Sequence, residues 1–119
     1  YPATMQGNVR VVDETAPVVI LEPEHPVFTF PNRIDSGDFD GWVQERNNYN
    51  FTTFDEDRYL PLLESHDDGE DPAYGGMLYA RIGSGHYIYT SYGWFRQLPA
   101  GVPGAYRLFA NILSLPATE

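Results

Sequence analysis

Four carboxylates surround a glycine in one short acidic segment. They are Asp67, Asp68, Glu70 and Asp71, around Gly69. Hard cations such as Ca²⁺ bind several oxygen ligands, so this loop could form a calcium site. The spacing differs from that of an EF-hand loop, which is longer and ends in a distal glutamate. A solvated acidic turn is the alternative, and the sequence favours it.

The three histidines could bind a transition metal if the fold brought them together. His25, His66 and His86 are far apart in the sequence, and no two of them form an HxH or HExxH pair. Imidazoles from distant segments do build zinc and copper sites, so a small histidine-ligated metalloenzyme stays open. Two loop histidines and one at the start of a strand are the favoured alternative. We therefore predict no cofactor and leave calcium or a transition metal open.

Two common nucleophiles of covalent catalysis, cysteine and lysine, are missing from the chain. The chain contains no cysteine and no lysine, and its serines do not lie in a GxSxG elbow. A thiolate nucleophile and a lysine Schiff base are both excluded. The absences favour a chain that is not an enzyme, while leaving catalysis by other groups open.

Aromatic side chains and a neighbouring arginine are the remaining candidates for binding. If exposed, Trp42 and Trp94 could stack on sugar rings in a small carbohydrate-binding module, although aromatic residues more commonly fill cores. Arg96 and Gln97 could offer donors to a ligand or partner beside a helix N-terminus, where anions are favoured. The alternative is that residues 96–103 merely connect two elements.

Composition limits the classes of partner. The 119 residues, 13.5 kDa in mass, suit one domain, and seventeen acids against seven arginines give a net charge of −10. We therefore expect no binding to nucleic acid or to an anionic membrane, since both require a basic surface. Because the chain begins at Tyr1, we expect a processed, excised or truncated product; export with processing before Tyr1 is one route, and the compartment stays open.

The elements that must position these residues are mostly strands. Short β-branched runs predict strands over residues 9–12 and 17–21, an apolar run predicts one over 59–65, and a polar run predicts a weak one over 43–51. The strongest local signal is a hairpin of two strand-like runs joined by glycines. Its strands are Met77 to Ile82 and His86 to Tyr92, joined by Gly83-Ser84-Gly85.

Helical signals are fewer. Pro103 and Gly104 open a helix whose apolar residues recur at helical spacing until Pro116 prevents continuation. Those apolar residues are Ala105, Leu108, Phe109, Ile112 and Leu113. Asp35 predicts the cap of a short helix, and the prolines around residues 27–30 predict an extended or turn-like segment. The pattern predicts an α/β fold, with a β-rich α+β sandwich as the alternative.

One long segment resembles a known family. Residues 87–111 read YIYTSYGWFRQLPAGVPGAYRLFAN, and VDETAP, LEPEHP, PNRI and DFDGWVQER precede it at residues 12–17, 21–26, 31–34 and 38–46. In this order they resemble the C-terminal part of a class I glutamine-amidotransferase-like domain, ThuA-like in outline. That domain follows the deacetylase domain in bacterial LmbE/PIG-L-type deacetylase proteins. The similarity extends over most of the chain.

The resemblance implies a non-catalytic role. It implies a partial flavodoxin-like sheet with a C-terminal hairpin and closing helix, in which residues 1–119 form the second half of a larger domain. The zinc motif of the deacetylase domain, of His-Pro-Asp-Asp type, is missing, as is the cysteine of an amidotransferase. We therefore expect an accessory or interaction domain of a glycan-modifying or deacetylase-type protein. Self-association or the missing N-terminal half would cover its exposed sheet, with a glycan as a further ligand.

Overall fold

Small antiparallel sheets and two helices make up the computed structural model, which describes residues 2–5 and 9–118. The strands are β1 (Ala3–Thr4), β2 (Val18–Ile20), β3 (Thr53–Phe54), β4 (Leu60–Pro61), β5 (Leu63–Ser65), β6 (Met77–Ile82) and β7 (Gly85–Thr90). The helices are α1 (Trp94–Ala100) and α2 (Pro103–Leu113), and 3-10 turns span Pro26–Phe28, Ser36–Phe39 and Leu115–Thr118. Strand β1 pairs with β3, β2 with β5, and β4, β6 and β7 form a three-stranded sheet in that order. The mixed α/β class is therefore confirmed.

The predicted hairpin is confirmed. Strands β6 and β7 pair in register from Met77 opposite Thr90 to Ile82 opposite Gly85, so the turn consists of two residues. Gly83 has a φ of 59°, a left-handed conformation that an L side chain adopts only with strain. Glycine at this position lets the chain reverse within two residues.

The predicted long helix is confirmed, but its buried face differs from the apolar stripe. In α2, Ala105 and Leu108 are buried as expected, whereas Leu113 is 68% exposed. Asn111 takes its place on the buried face and is fully buried. Pro103 occupies the first turn of α2. Backbone N–H groups in the first turn have no partner within the helix, so the missing N–H of proline costs no hydrogen bond there.

The predicted short helix near Asp35 is present as a 3-10 turn with a side-chain cap. Asp35 accepts a hydrogen bond from Gly37 N, and Asp38 closes a capping box at the predicted short helix, which is a 3-10 turn. The strand predicted over 59–65 is divided at Leu62 between β4 and β5, which belong to different sheets.

Other local predictions were wrong. Residues 43–51 do not form a strand, since their β contacts are single bridges from Asn47 to Val11 and Tyr92. Residues 9–12 contribute only the Val11 bridge. Helix α1 was not predicted, because Gly93, Pro99 and Gly101 around it are typical of a loop.

The main core lies between the helices and one face of the β4-β6-β7 sheet. Side chains alternate between faces along β6, so Met77 points to this core and Leu78 to the opposite face. The core contains Val27, Phe28, Phe39, Trp42, Leu62, Leu63, Met77, Ala105 and Leu108. Trp94 and Leu98 of α1 and Ile112 of α2 pack against it. Within the described residues, no helix is long and apolar enough to cross a membrane.

Candidate functional site

The acidic loop is held by one of its own carboxylates. Both oxygens of Asp67 accept from Val12 N at 3.0 Å, and Oδ1 also accepts from Asp13 N at 2.7 Å. Asp67 therefore anchors the loop to the N-terminal segment, while Asp68 and Glu70 are exposed to solvent. The loop is therefore an acidic turn that the hydrogen bonds of Asp67 hold against the N-terminal segment.

The three histidines do not meet. His25 and His86 both contact Tyr79: the ring centroids of His25 and Tyr79 are 4.5 Å apart, and Tyr79 Oη is 2.8 Å from His86 Nδ1. His66 lies on the acidic loop, with Nδ1 2.9 Å from Asp67 O. In the ranges 2–5 and 9–118, no group of three or more His, Asp or Glu side chains is arranged to hold a metal ion.

The pair around Tyr79 has an electrostatic consequence. Burial lowers the pKa of His25, the nearby His86 lowers it further, and Glu22 opposes both. His25 Nδ1 accepts from Val27 N at 3.1 Å, which requires that nitrogen to be unprotonated. His25 therefore serves as the cap of the Pro26–Phe28 turn.

The two tryptophans pack against each other at the main core. Trp42 is 3% exposed and its Nε1 donates to Asp38 O at 3.1 Å, so it fills the core, as aromatic residues more commonly do, and is not available to stack on a sugar. Trp94 is half-buried, lies edge-on to Trp42 at 5.5 Å, and donates from Nε1 to Thr90 Oγ1 at 3.0 Å. The two indoles form part of the core packing beneath α1.

Arg96 and Gln97 have opposite surroundings. Gln97 is fully buried, and its amide bonds to the backbone of Val43, so it does not offer a donor to a ligand. The side chain of Arg96 is 42% exposed, with its guanidinium 4.9 Å over the Phe95 ring and Nε 3.9 Å from Glu45. Of the two predicted donors, only Arg96 stays accessible.

Arg46 is a buried cation that holds three segments together. It is 4% exposed, donates to the carbonyl oxygens of Ala16 and Phe39, and lies 6.0 Å from the centroids of the Phe39 and Trp42 rings. Burial lowers the pKa of this guanidinium. Its contacts are structural.

Sequence reasoning missed the surface feature that the structure makes most prominent. The second face of the β4-β6-β7 sheet carries a layer of aromatic rings, called here the aromatic band. Its members are Phe51, Phe54, Tyr59, Tyr87 and Tyr89. Neighbouring ring centroids are 4.6 to 6.4 Å apart, in the pairs Phe51–Tyr89, Tyr59–Tyr87 and Phe54–Tyr59. The alternation of Tyr87 and Tyr89 along one strand could have indicated that both rings share a face.

Charge is also segregated along the chain. Residues 72–118 contain no acid, and sixteen of the seventeen acidic residues lie within residues 1–71. The C-terminal segment carries Arg81, Arg96 and Arg107. The hairpin and both helices therefore come from an acid-free segment of a strongly acidic protein.

Comparisons of the chain with protein-family models, with curated proteins and with solved structures find no match. The resemblance to the amidotransferase-like domain stays a prediction. The aromatic band and the burial of polar groups are therefore the observations that support a functional conclusion.

Proposed function

We propose that this chain is a non-catalytic interaction domain, accessory to a glycan-modifying or deacetylase-type protein, and that the aromatic band is its docking surface. One observation carries the proposal: the two faces of the β4-β6-β7 sheet are covered differently. Helices and the main core cover the Met77 face. The Leu78 face is covered by the rings of the band, several of which remain partly open to solvent.

The band protects apolar side chains that lie outside the main core. Leu78 and Ala80 are 0% and 1% exposed on this face, beside Tyr89 and Tyr87 on the paired strand. At its margin Tyr87 is 42% and Ile82 53% exposed. A contiguous exposed apolar surface of this kind marks an interaction site in soluble proteins.

The orientation of the rings favours a protein partner. Tyr59 and Tyr87 are inclined at 58°, Phe51 and Tyr89 at 58°, and Phe54 and Tyr59 at 89°. Inclined rings leave gaps that partner side chains can enter, whereas a flat polysaccharide needs rings that lie in one plane. Tyrosine is also enriched in the centres of protein interfaces.

The buried polar groups support a non-catalytic role. Gln97 and Asn111 are fully buried and bond to backbone atoms, so their polarity serves folding. The class of partner comes from the family resemblance, and the flavodoxin-like fold with residues 1–119 as its second half belongs to the same prediction. The docking surface does not depend on that fold.

Calorimetric titration with a PIG-L-type deacetylase domain, supplied as a separate polypeptide, tests the proposal. We expect binding that Ile82→Asp weakens at least about tenfold, because a carboxylate would be buried at the margin of the band. Val19→Asp is the matched control, since Val19 is a 50% exposed β-branched strand residue on β2. No binding by the unmodified chain, or equal weakening by both variants, would contradict the proposal.

A carbohydrate-binding module is the second candidate, supported by the exposed ring of Tyr87. Its test is retention on insoluble chitin or cellulose. Retention that Tyr87→Ala removes and Tyr74→Ala preserves would favour a glycan ligand over a protein partner. Tyr74 is 48% exposed and takes no part in the aromatic band, which makes it a suitable control.

A further inference from the structure

A turn rich in carboxylates borders the aromatic band. Phe54 and Tyr59 both belong to the band, with ring centroids 6.3 Å apart, and residues 55–58 connect them. This connection reads Asp-Glu-Asp-Arg, and it is a tight turn, because Tyr59 N donates to Asp55 O at 2.8 Å. The fold therefore holds the carboxylates of the turn next to two rings of the band.

The turn keeps a negative charge after its internal contacts are made. Arg58 Nε lies 3.6 Å from Asp55 Oδ2, and Asp55 Oδ1 accepts from Asp57 N at 3.1 Å. Glu56 and Asp57 are exposed to solvent. Three carboxylates against one guanidinium leave the border of the band acidic.

Three pockets adjoin the band, and each is lined by at least one carboxylate. Two of them border Phe54, with volumes of about 190 and 270 Å³, and one of about 300 Å³ borders Phe51. None of the described residues that line these pockets is an arginine. The carboxylates in their linings are Asp55, Glu56, Glu70 and Asp71.

An aromatic ring beside a carboxylate favours a cation as ligand. The face of a ring attracts a guanidinium or an ammonium group within about 6 Å, and the carboxylate adds a charge-assisted hydrogen bond. The chain itself contains this combination elsewhere. The guanidinium of Arg96 lies 4.9 Å over the ring of Phe95, with Nε 3.9 Å from Glu45. The pockets beside the band offer the same two groups to a cation supplied by a partner.

The wider charge distribution acts in the same direction. The chain has a net charge of −10, and sixteen of its seventeen acidic residues lie within residues 1–71. Three of the five rings of the band belong to this acidic part of the chain, namely Phe51, Phe54 and Tyr59. Fields of this kind attract a partner of opposite charge and repel an acidic one.

We propose that the occupant of the aromatic band is a basic peptide segment of the partner, whose arginine side chains enter the pockets beside Phe51 and Phe54. In the pocket beside Phe54, the guanidinium stacks on the ring and pairs with Glu56. The apolar stems of the basic side chains cover the tyrosine rings of the band. This choice of occupant rests on the proposed function, because both take the band to be the docking surface.

Fluorescence anisotropy with a labelled peptide of four Arg-Gly repeats tests the charge half of the proposal. We expect the peptide to bind the unmodified chain and Glu56→Gln to weaken binding at least about fivefold. Glu22→Gln is the control, because it changes the net charge equally at an exposed residue. Glu22 adjoins His25, which contacts Tyr79 on the Met77 face of the sheet. This control should weaken binding less than about twofold.

The same assay tests the contribution of the rings. Tyr87→Leu keeps an apolar side chain but removes the ring, and we expect it to weaken peptide binding at least about threefold. Tyr106→Leu is the matched control, since Tyr106 is 52% exposed on α2, outside the band, and Tyr87 is 42% exposed. The control should leave the affinity for the peptide unchanged.

Three outcomes would overturn the proposal: no binding of the peptide, equal weakening by the two glutamate variants, or equal weakening by the two tyrosine variants. Equal weakening by Glu56→Gln and Glu22→Gln would show that the peptide responds only to net charge. Ile82 lines none of the three pockets, so the Ile82→Asp titration tests the accessory role separately. Deacetylase binding without peptide binding would overturn only the basic occupant, and peptide binding without deacetylase binding would overturn only the accessory role.

Discussion

The side-chain amide of Gln97 pairs with the backbone of Val43 as a neighbouring strand would. Oε1 accepts from Val43 N at 2.7 Å, and Nε2 donates to Val43 O at 2.9 Å, with a longer contact to Glu45 O at 3.4 Å. Gln97 is fully buried in α1, and 54 positions separate it from Val43. This pairing fastens α1 to a segment that has no regular secondary structure of its own.

Replacing this amide by an apolar side chain should destabilise the fold. Gln97→Leu would leave the N–H of Val43 without its partner, while the Val43 carbonyl would keep its bond from Glu45 N at 2.8 Å. We expect a loss of about 1–3 kcal/mol in the free energy of unfolding. Urea denaturation measures the change. The neighbouring exposed residue supplies the control: Arg96→Ala should alter stability by less than about 1 kcal/mol. Equal losses for the two variants would show that the amide pairing contributes nothing specific.

On the buried face of α2, we expect a polar residue to stabilise the fold more than an apolar one at the same position. Asn111 donates from Nδ2 to Val27 O at 2.8 Å and to Asn32 O at 2.7 Å, and its Oδ1 accepts from Asn32 N at 2.9 Å. Asn111→Leu, although it extends the hydrophobic stripe, should cost about 2–4 kcal/mol because three backbone groups lose their partner. Leu113→Asn should cost less than about 1 kcal/mol, since Leu113 is 68% exposed. Thermal unfolding of both variants tests this; a more stable Asn111→Leu would refute it.

Gly104 lies where α2 touches the backbone of the Ser36–Phe39 turn. A Cβ at this position would lie 1.6 Å from Asp38 O, far inside van der Waals contact. Gly104→Ala should therefore destabilise the protein by about 1–3 kcal/mol, although the same change in an exposed helix stabilises by about 1 kcal/mol. Pro103→Ala, at the exposed preceding residue, is the control for the first helical turn. A stabilised Gly104→Ala would mean that the helix and the turn are farther apart than described.

The buried phenol of Tyr92 predicts a loss of stability at alkaline pH. Burial raises the pKa of Tyr92 from 10.0 to about 12, partly offset by its hydrogen bond with Ser65 at 3.0 Å. The folded state keeps the proton that the unfolded state releases above about pH 10, so this contribution is present below that pH and is lost as pH rises toward 12. From pH 10 to pH 12, the stability of the wild type relative to Tyr92→Phe should fall by about 2–3 kcal/mol.

Urea denaturation of both proteins at several pH values between about 9 and 12 measures this difference. The comparison removes the titration of the other tyrosines, which both proteins share. A difference that stays constant across the range would show that Tyr92 ionises as it does in the unfolded chain.

Local signals predicted the elements that depend on adjacent residues. The hairpin needs a glycine at the turn, which Gly83 provides, and α2 needs an open first turn, which begins at Pro103. The strand predicted over residues 43–51 does not form. Single bridges from Asn47 to Val11 and Tyr92 fix this segment, and no strand pairs along it. Helix α1 is the opposite case: the sequence did not predict a helix there, because Pro99 disfavours one, and the burial of Gln97 stabilises it.

The candidate site shows the same division. The sequence contained the tyrosine alternation in β7 and the acid-free segment 72–118, but it did not show that one sheet face has a helix-backed core and the other a layer of rings. It suggested Trp42 and Gln97 as contact residues, and the fold buries both. Exposure depends on which distant segments pack over a side chain, and no pattern among neighbouring residues specifies that.

The sequence by itself determined the net charge, the absence of thiol chemistry, the hairpin with its glycine turn and the closing helix, because these depend on composition or on residues close together in the chain. The tertiary structure decided which polar groups serve the fold and which aromatic rings reach the surface. Those outcomes rest on contacts between residues as far apart as Asn32 and Asn111, separated by 79 positions. Burial free energy arises only when such segments meet, so the aromatic band appears only in the folded chain.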